Sequence, residues 1–176
     1  MTAREDFDRC VAELADPARA RPAYWLLVAG GAAALPSVRA GLGHESGAVR
    51  AQCAEALDRL VDEESYPLLV ACLADRESRV RVNALHALAC DRCKQSAACR
   101  PDKAAVLPPA VRCLRHDPDK YVRAMAVAVV GRWVHSDETA AAALVEARDL
   151  DPEPLVRKSA GWYCPGGPIH RRTAPR

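Results

Sequence analysis

Four segments of the chain carry the same pattern: HESGAVRAQCAEAL from His44, DRESRVRVNALHAL from Asp75, DPDKYVRAMAVAVV from Asp117 and DPEPLVRKSAGWYC from Asp151. In each, a Val-Arg pair begins five residues after a polar turn residue, and a small residue stands four places after the Val. These are Val49, Val80, Val122 and Val156, followed by Cys53, Ala84, Ala126 and Ala160. Together with Leu57, Leu88 and Val130 they fall at i, i+4 and i+8, which is one stripe of a helix that starts near the turn. A second amphipathic run precedes each turn: PSVRAGLG, SYPLLVACLA, AAVLPPAVRCLR and TAAAALVEARD. The unit is therefore a helical hairpin. A single hairpin cannot bury its apolar face, and stacking on a neighbour solves that problem. Composition agrees, since half of the 176 residues are apolar but only 5% are aromatic. Such a core is built from Ala, Leu and Val, the material of close-packed helices.

The pattern D-x4-V-R-x2-A-x2-A-L resembles the short bacterial form of the HEAT repeat over about residues 32 to 163, and Asp75 through Leu88 follows it almost position by position. The resemblance implies an all-α fold, a right-handed α-solenoid of about five antiparallel helical hairpins. One repeat domain is expected over residues 1–164, with a degenerate N-terminal hairpin at 1–31, a Cys-rich insertion at 90–102, and a disordered basic tail at 165–176. The family's ladder between turn Asp and helix-start Arg carries over to Asp75, Asp117 and Asp151 with Arg50, Arg81, Arg123 and Arg157. His44 departs from it and puts the first rung in question.

The Val-Arg pairs are 31, 42 and 34 residues apart, so the long interval holds an insertion of about eleven residues. That insertion falls in HALACDRCKQSAACRPDK, where Cys90, Cys93 and Cys99 follow His86. On a helix continued by one turn, His86, Cys90 and Cys93 share a stripe at i, i+4 and i+7. The set H-x3-C-x2-C-x5-C offers the four ligands of a Cys3His structural zinc, with Arg92, Lys94 and Arg100 to offset thiolate charge. Cys113, His116 and His135 are substitute ligands. Reduced packed thiols, or a disulfide or thiol switch among Cys90, Cys93 and Cys99, are the alternatives. Cys53, Cys72, Cys113 and Cys164 sit where the repeat places Ala or Leu, and Cys10 lies on an amphipathic helix; these are expected to pack.

Enzyme signals are sparse. His44-Glu45 is a single His-Glu pair at a turn, whereas the resembling deoxyhypusine hydroxylases need repeated pairs for two irons. A HEAT-like alkylpurine DNA glycosylase would draw on Arg123, Arg132 and Trp133, within or close to a basic middle segment that carries 11 basic and 5 acidic residues over 76–123. Chromophore lyases also resemble HEAT repeats, and nothing in the residues separates them. The favoured expectation is a non-catalytic scaffold for another protein, with nucleic-acid binding of the glycosylase type as the alternative and no membrane partner. The register assigns the partner face to Ala51, Gln52 and Glu55, to Val82, Asn83 and His86, to Ala124, Met125 and Ala128, and to Lys158, Ser159 and Trp162. The start of the chain is charged throughout, and AYWLLVAGGAAALP, about fourteen residues, is too short to span a bilayer and reads as a buried helix followed by a turn. A cytoplasmic protein is expected.

Overall fold

A computed structural model describes residues 3–60, 62–89 and 101–175. Among these residues every regular element is helical. The chain divides into two compact units, Met1–Pro101 and Asp102–Arg176. In the first unit the elements are α1 (Ala3–Glu13), α2 (Ala20–Gly30), α3 (Leu35–Gly41), α4 (Gly47–Leu60), α5 (Tyr66–Ala71) and α6 (Ser78–Ala89), with short 3-10 turns before α3 and α5 and after α5. The second holds α7 (Lys103–His116), α8 (Lys120–Gly131), α9 (Glu138–Leu150), α10 (Pro154–Tyr163) and α11 (Pro168–Thr173).

Consecutive helices pair into hairpins, α1 with α2 through α9 with α10. Within each unit like stacks on like: α4 lies on α6 and α1 on α3 in the first, α8 on α10 and α7 on α9 in the second. The repeated Val explains this order. Val49, Val80, Val122 and Val156 are each 0% exposed, as are the small residues Cys53, Ala84, Ala126 and Ala160 behind them. A Val and a small residue one turn apart let a neighbouring helix approach closely. Gly41 acts in the same way, because a Cβ there would collide with Cys53 Sγ and stand 3.0 Å from Val11 Cγ1.

The second link is polar. Arg50, at the start of α4, donates from Nε and Nη2 to the Asp75 carboxylate at 2.7 and 2.8 Å, while its Nη1 donates to the carbonyls of His44 and Glu45, both at 2.9 Å. Arg123 on α8 repeats the arrangement, with Asp151 at 2.8 and 3.1 Å and the carbonyls of Asp117 and Pro118 at 2.9 and 3.3 Å. Arg81 and Arg157 hold their own turns in the same way. One guanidinium thus closes its own turn and seizes the next, a use of the planar fork that Lys could not reproduce. The departure at His44 is local: its Nδ1 accepts the Ser46 N–H at 3.0 Å and stands in for the turn carboxylate. Arg39 of α3 supplies a further link, donating to Asp62 at 2.6 Å and to Glu64 at 2.7 Å.

Two local features complete the fold. Pro108 and Pro109 lie inside α7, where they remove the donors for the Ala104 and Ala105 carbonyls. Those two residues are exposed, in the first turn of the helix. The tail was expected to be disordered, yet Pro168–Thr173 is helical and packs on α10. Gly166 takes a left-handed φ of +84°, and Gly167 approaches the end of α10 so closely that a Cβ would meet the Gly161 and Trp162 carbonyls. The reversal puts Thr173 Oγ1 and the His170 carbonyl each 3.1 Å from His135 Nε2.

The rungs generate two predictions. Arg50 and Asp75 side chains are 9% and 13% exposed, and Arg123 and Asp151 10% and 5%. Removing one partner strands the other in a poorly hydrated site, so Arg123→Ala is expected to lower unfolding stability by about 3 kcal/mol in urea titrations, with most of that loss absent when Asp151 is already Ala. The pairing with Arg50 holds the Asp75 carboxyl below the usual range. At Asp151 burial acts in the opposite direction, but the Arg123 pair outweighs it and the carboxyl is again held low. A carboxylate whose folded value lies below its unfolded one stabilises above the unfolded value, about 3.9, and ceases to as pH falls through the folded value. Urea midpoints measured from pH 7 downward should therefore decline only below about pH 4, and more gently in an Asp75→Asn, Asp151→Asn double variant.

Candidate functional site

The expected partner face lies along the second helices of the hairpins. On α4, Ala51 is fully buried and is not available to a partner, because α6 covers it: Asn83 Nδ2 donates to the Ala51 carbonyl at 2.8 Å. Gln52 is half-buried, and its Nε2 donates to the Leu14 carbonyl at 2.9 Å, which fastens the turn after α1 to α4. Glu55, one turn further on, is half-buried as well. Val82 and Asn83 on α6 are half-buried and His86 is exposed. In the second unit Ala124, Met125, Ala128 and Ser159 are half-buried, while Lys158 and Trp162 are exposed, the ammonium 6.0 Å from the indole centroid.

Of these residues, Gln52 and Glu55 border a cavity of about 470 Å³. Its other walls are Leu14 and Pro17 from the α1–α2 turn, Arg21, Tyr24 and Trp25 from α2, and Arg79 from α6. Trp25 is 48% exposed and meets Tyr24 edge to face, with centroids 5.3 Å apart at 80°. Arg59 joins the pair: its Cζ lies 5.2 Å from the Trp25 centroid and its Nε donates to Tyr24 Oη at 3.0 Å. Burial raises the Tyr24 phenol above its usual range, with Arg59 opposing. The phenol therefore stays protonated at neutral pH. The expectation of a wholly buried helix at AYWLLV is corrected here, since Trp25 and Leu26 both face outward. The signal in the sequence was an apolar run covering more faces than one hairpin can bury.

Cys90, Cys93 and Cys99 lie outside the described residues. His86 is on α6, its side chain 53% exposed and its Nδ1 3.3 Å from Asp58 Oδ2, while Asp58 Oδ1 is buried with no hydrogen-bond partner among the described residues. Among the described residues no three His, Cys, Asp or Glu side chains gather around a possible ion. The substitute ligands are dispersed: Cys113 is buried, His116 is exposed, and His135 is engaged by α11. Burial pushes the Cys53 thiol up to about 12 and the Cys72 thiol to about 11, and raises Cys10 and Cys164 too. Such thiols are packing groups.

The glycosylase-type set does not converge. Arg123 is 8% exposed, with its donors committed to Asp151 and to two carbonyls of its own turn. Arg132 and Trp133 lie just beyond α8, half-buried, with the guanidinium 6.0 Å from the indole centroid. No described helix is long and apolar enough to cross a membrane.

Residues 11–89 match the HEAT-repeat family. No curated protein matches the chain. Among solved structures, one similar chain comes from the complex of CpcE and CpcF of phycocyanin lyase from Nostoc sp. PCC7120. It has 19% identity, covers 89% of this chain and 96% of that one, and gives a TM-score of 0.71. A designed armadillo repeat protein in complex with the peptide (KR)4 has 22% identity, 89% and 80% coverage, and a TM-score of 0.60. A computationally designed armadillo repeat protein for modular peptide recognition has 22% identity, 88% and 79% coverage, and a TM-score of 0.57. These likenesses show the fold alone. With its match to HEAT repeats over residues 11–89, the chain has the all-helical repeat fold shared by HEAT and armadillo proteins.

Proposed function

We propose that this protein is a non-catalytic, cytoplasmic interaction scaffold that binds another protein, anchored at the cavity between α2, α4 and the turn after α1. The observation that carries this reading is the half-exposed Trp25, backed by Tyr24 and Arg59 beside Gln52 and Glu55. A large ring already held by its neighbours has little freedom left to lose on contact, and aromatic anchors in such settings carry much of the energy at protein interfaces. Two similar structures contain a partner, the second lyase chain in one and a peptide in the other, which fits a protein ligand.

The reading is tested by placing a photo-crosslinking amino acid at position 55 of the full chain in its native cells. A defined protein adduct is expected, at least tenfold weaker in a Trp25→Ala background. Because that ring is already half exposed, Trp25→Ala should leave unfolding stability within about 1 kcal/mol of wild type. Adducts with nucleic acid that vanish at high salt would instead support the glycosylase-type alternative.

The proposal includes one structural zinc held by His86, Cys90, Cys93 and Cys99. Its support is the placement of His86, whose Nδ1 faces Asp58 in the way a carboxylate orients a metal-binding imidazole, leaving Nε2 for the ion. Elemental mass spectrometry on untagged protein should find about one zinc per chain, reduced in His86→Ala and absent when the three cysteines are Ser. Metal-free wild type with three titratable thiols would remove the site.

A further inference from the structure

Residues 3–89 hold ten arginines, and eight of them are engaged within the chain. Arg4, Arg9 and Arg19 pair with carboxylates of α1 and the turn after it, Arg39 with Asp62, and Arg50 with Asp75. Arg59 donates to Tyr24, and Arg76 and Arg81 donate to turn carbonyls. The remaining two, Arg21 and Arg79, are exposed and make no hydrogen bond or ion pair among the described residues. Both line the cavity that holds Trp25. Arg21 comes from α2 and Arg79 from α6, and both helices pack on α4.

The same residues carry 13 acidic side chains, so carboxylates are in excess over these ten arginines. Two unpaired guanidinium groups at one cavity are a local reversal of that balance. The acidic residue on the cavity walls is Glu55, and Arg59 stands one turn further along α4, where its charge offsets the carboxylate. The cavity is therefore positive beside an aromatic wall. A guanidinium fork matches a carboxylate in plane and can donate two parallel hydrogen bonds to it. An indole held by its neighbours offers an apolar face to a side chain of the same segment. A nucleic acid fits less well, because the surrounding excess of carboxylates opposes a continuous run of phosphates.

We infer that the protein segment received by this cavity is acidic, an extended peptide whose apolar side chain rests on Trp25 while flanking Asp or Glu carboxylates are held by Arg21 and Arg79. This gives the chemistry of the partner, and it rests on the reading of the cavity as the docking site.

The test is fluorescence anisotropy of the full chain with fluorescein-labelled probes: a peptide with a central Phe flanked on both sides by Glu, the same peptide with Lys in place of every Glu, and a single-stranded oligothymidylate. In about 50 mM salt the Glu peptide is expected to bind at least about tenfold tighter than either of the others, and to weaken as salt rises to about 500 mM. Arg21→Gln and Arg79→Gln should each weaken it roughly threefold, the size of a partly exposed ion pair, and the double variant roughly tenfold. Urea midpoints of these variants should match wild type, since neither side chain has a partner in the fold to lose. Equal or tighter binding of the Lys peptide or the oligonucleotide would overturn the inference, as would a Glu peptide that fails to bind or is indifferent to both arginines. Photo-crosslinking from position 55 separates this result from the docking reading. An adduct that needs Trp25 but neither Arg21 nor Arg79 leaves the docking site standing and overturns the acidic partner, whereas absence of any Trp25-dependent adduct overturns both.

Discussion

The arginine that closes its own turn while gripping the next hairpin's aspartate is the interaction on which the arrangement within each unit rests. Hydrophobic burial alone would allow two stacked hairpins to slide, because a stripe of Val, Ala and Leu offers many nearly equivalent contacts. The Arg50–Asp75 and Arg123–Asp151 pairs remove that freedom. A guanidinium with Nη1 on two carbonyls and its other edge on a carboxylate is satisfied at one register only. Taking these charges out of water carries a desolvation cost, so each rung specifies position more than it adds net stability. The bulk of the stabilisation comes from the apolar stripe that the rung aligns.

The candidate site follows from the same arrangement at a place where it is incomplete. The first hairpin lacks the Val-Arg signature and is fastened differently, through the Gln52 amide on the Leu14 carbonyl and through Arg59 on Tyr24. These polar contacts hold α2 and α4 together without filling the space between the α1–α2 turn and Glu55. The result is a cavity with an aromatic wall and polar edges, adjacent to a helix whose apolar residues exceed what it can bury.

Local pattern made the hairpins and their buried stripes legible, since Val49, Cys53 and Leu57 need only helical periodicity to be assigned to one face. The rung partners were legible through the family resemblance, and Arg50 with Asp75 and Arg123 with Asp151 are paired as that resemblance implied. Trp25 was not. An indole on an apolar helix reads as core unless the neighbouring helices are known to leave it uncovered. Ala51 shows the converse: register placed it on the open face, but it lies beneath Asn83. The tail helix also escaped notice, because six residues after a Pro-Gly-Gly turn have no periodicity to display and are ordered by docking on α10 and His135.

By itself the sequence determined which residues form helices, which face of each is apolar, and which charged groups recur at the turns. Those properties depend on spacings of a few residues, where helical geometry leaves little choice. The tertiary structure alone decided which side chains remain open to solvent, which cations are already committed to partners, and where space is left between helices. Exposure at one residue is set by everything packed around it, and for Trp25, Gln52 and Arg123 those neighbours lie some thirty residues away in the chain.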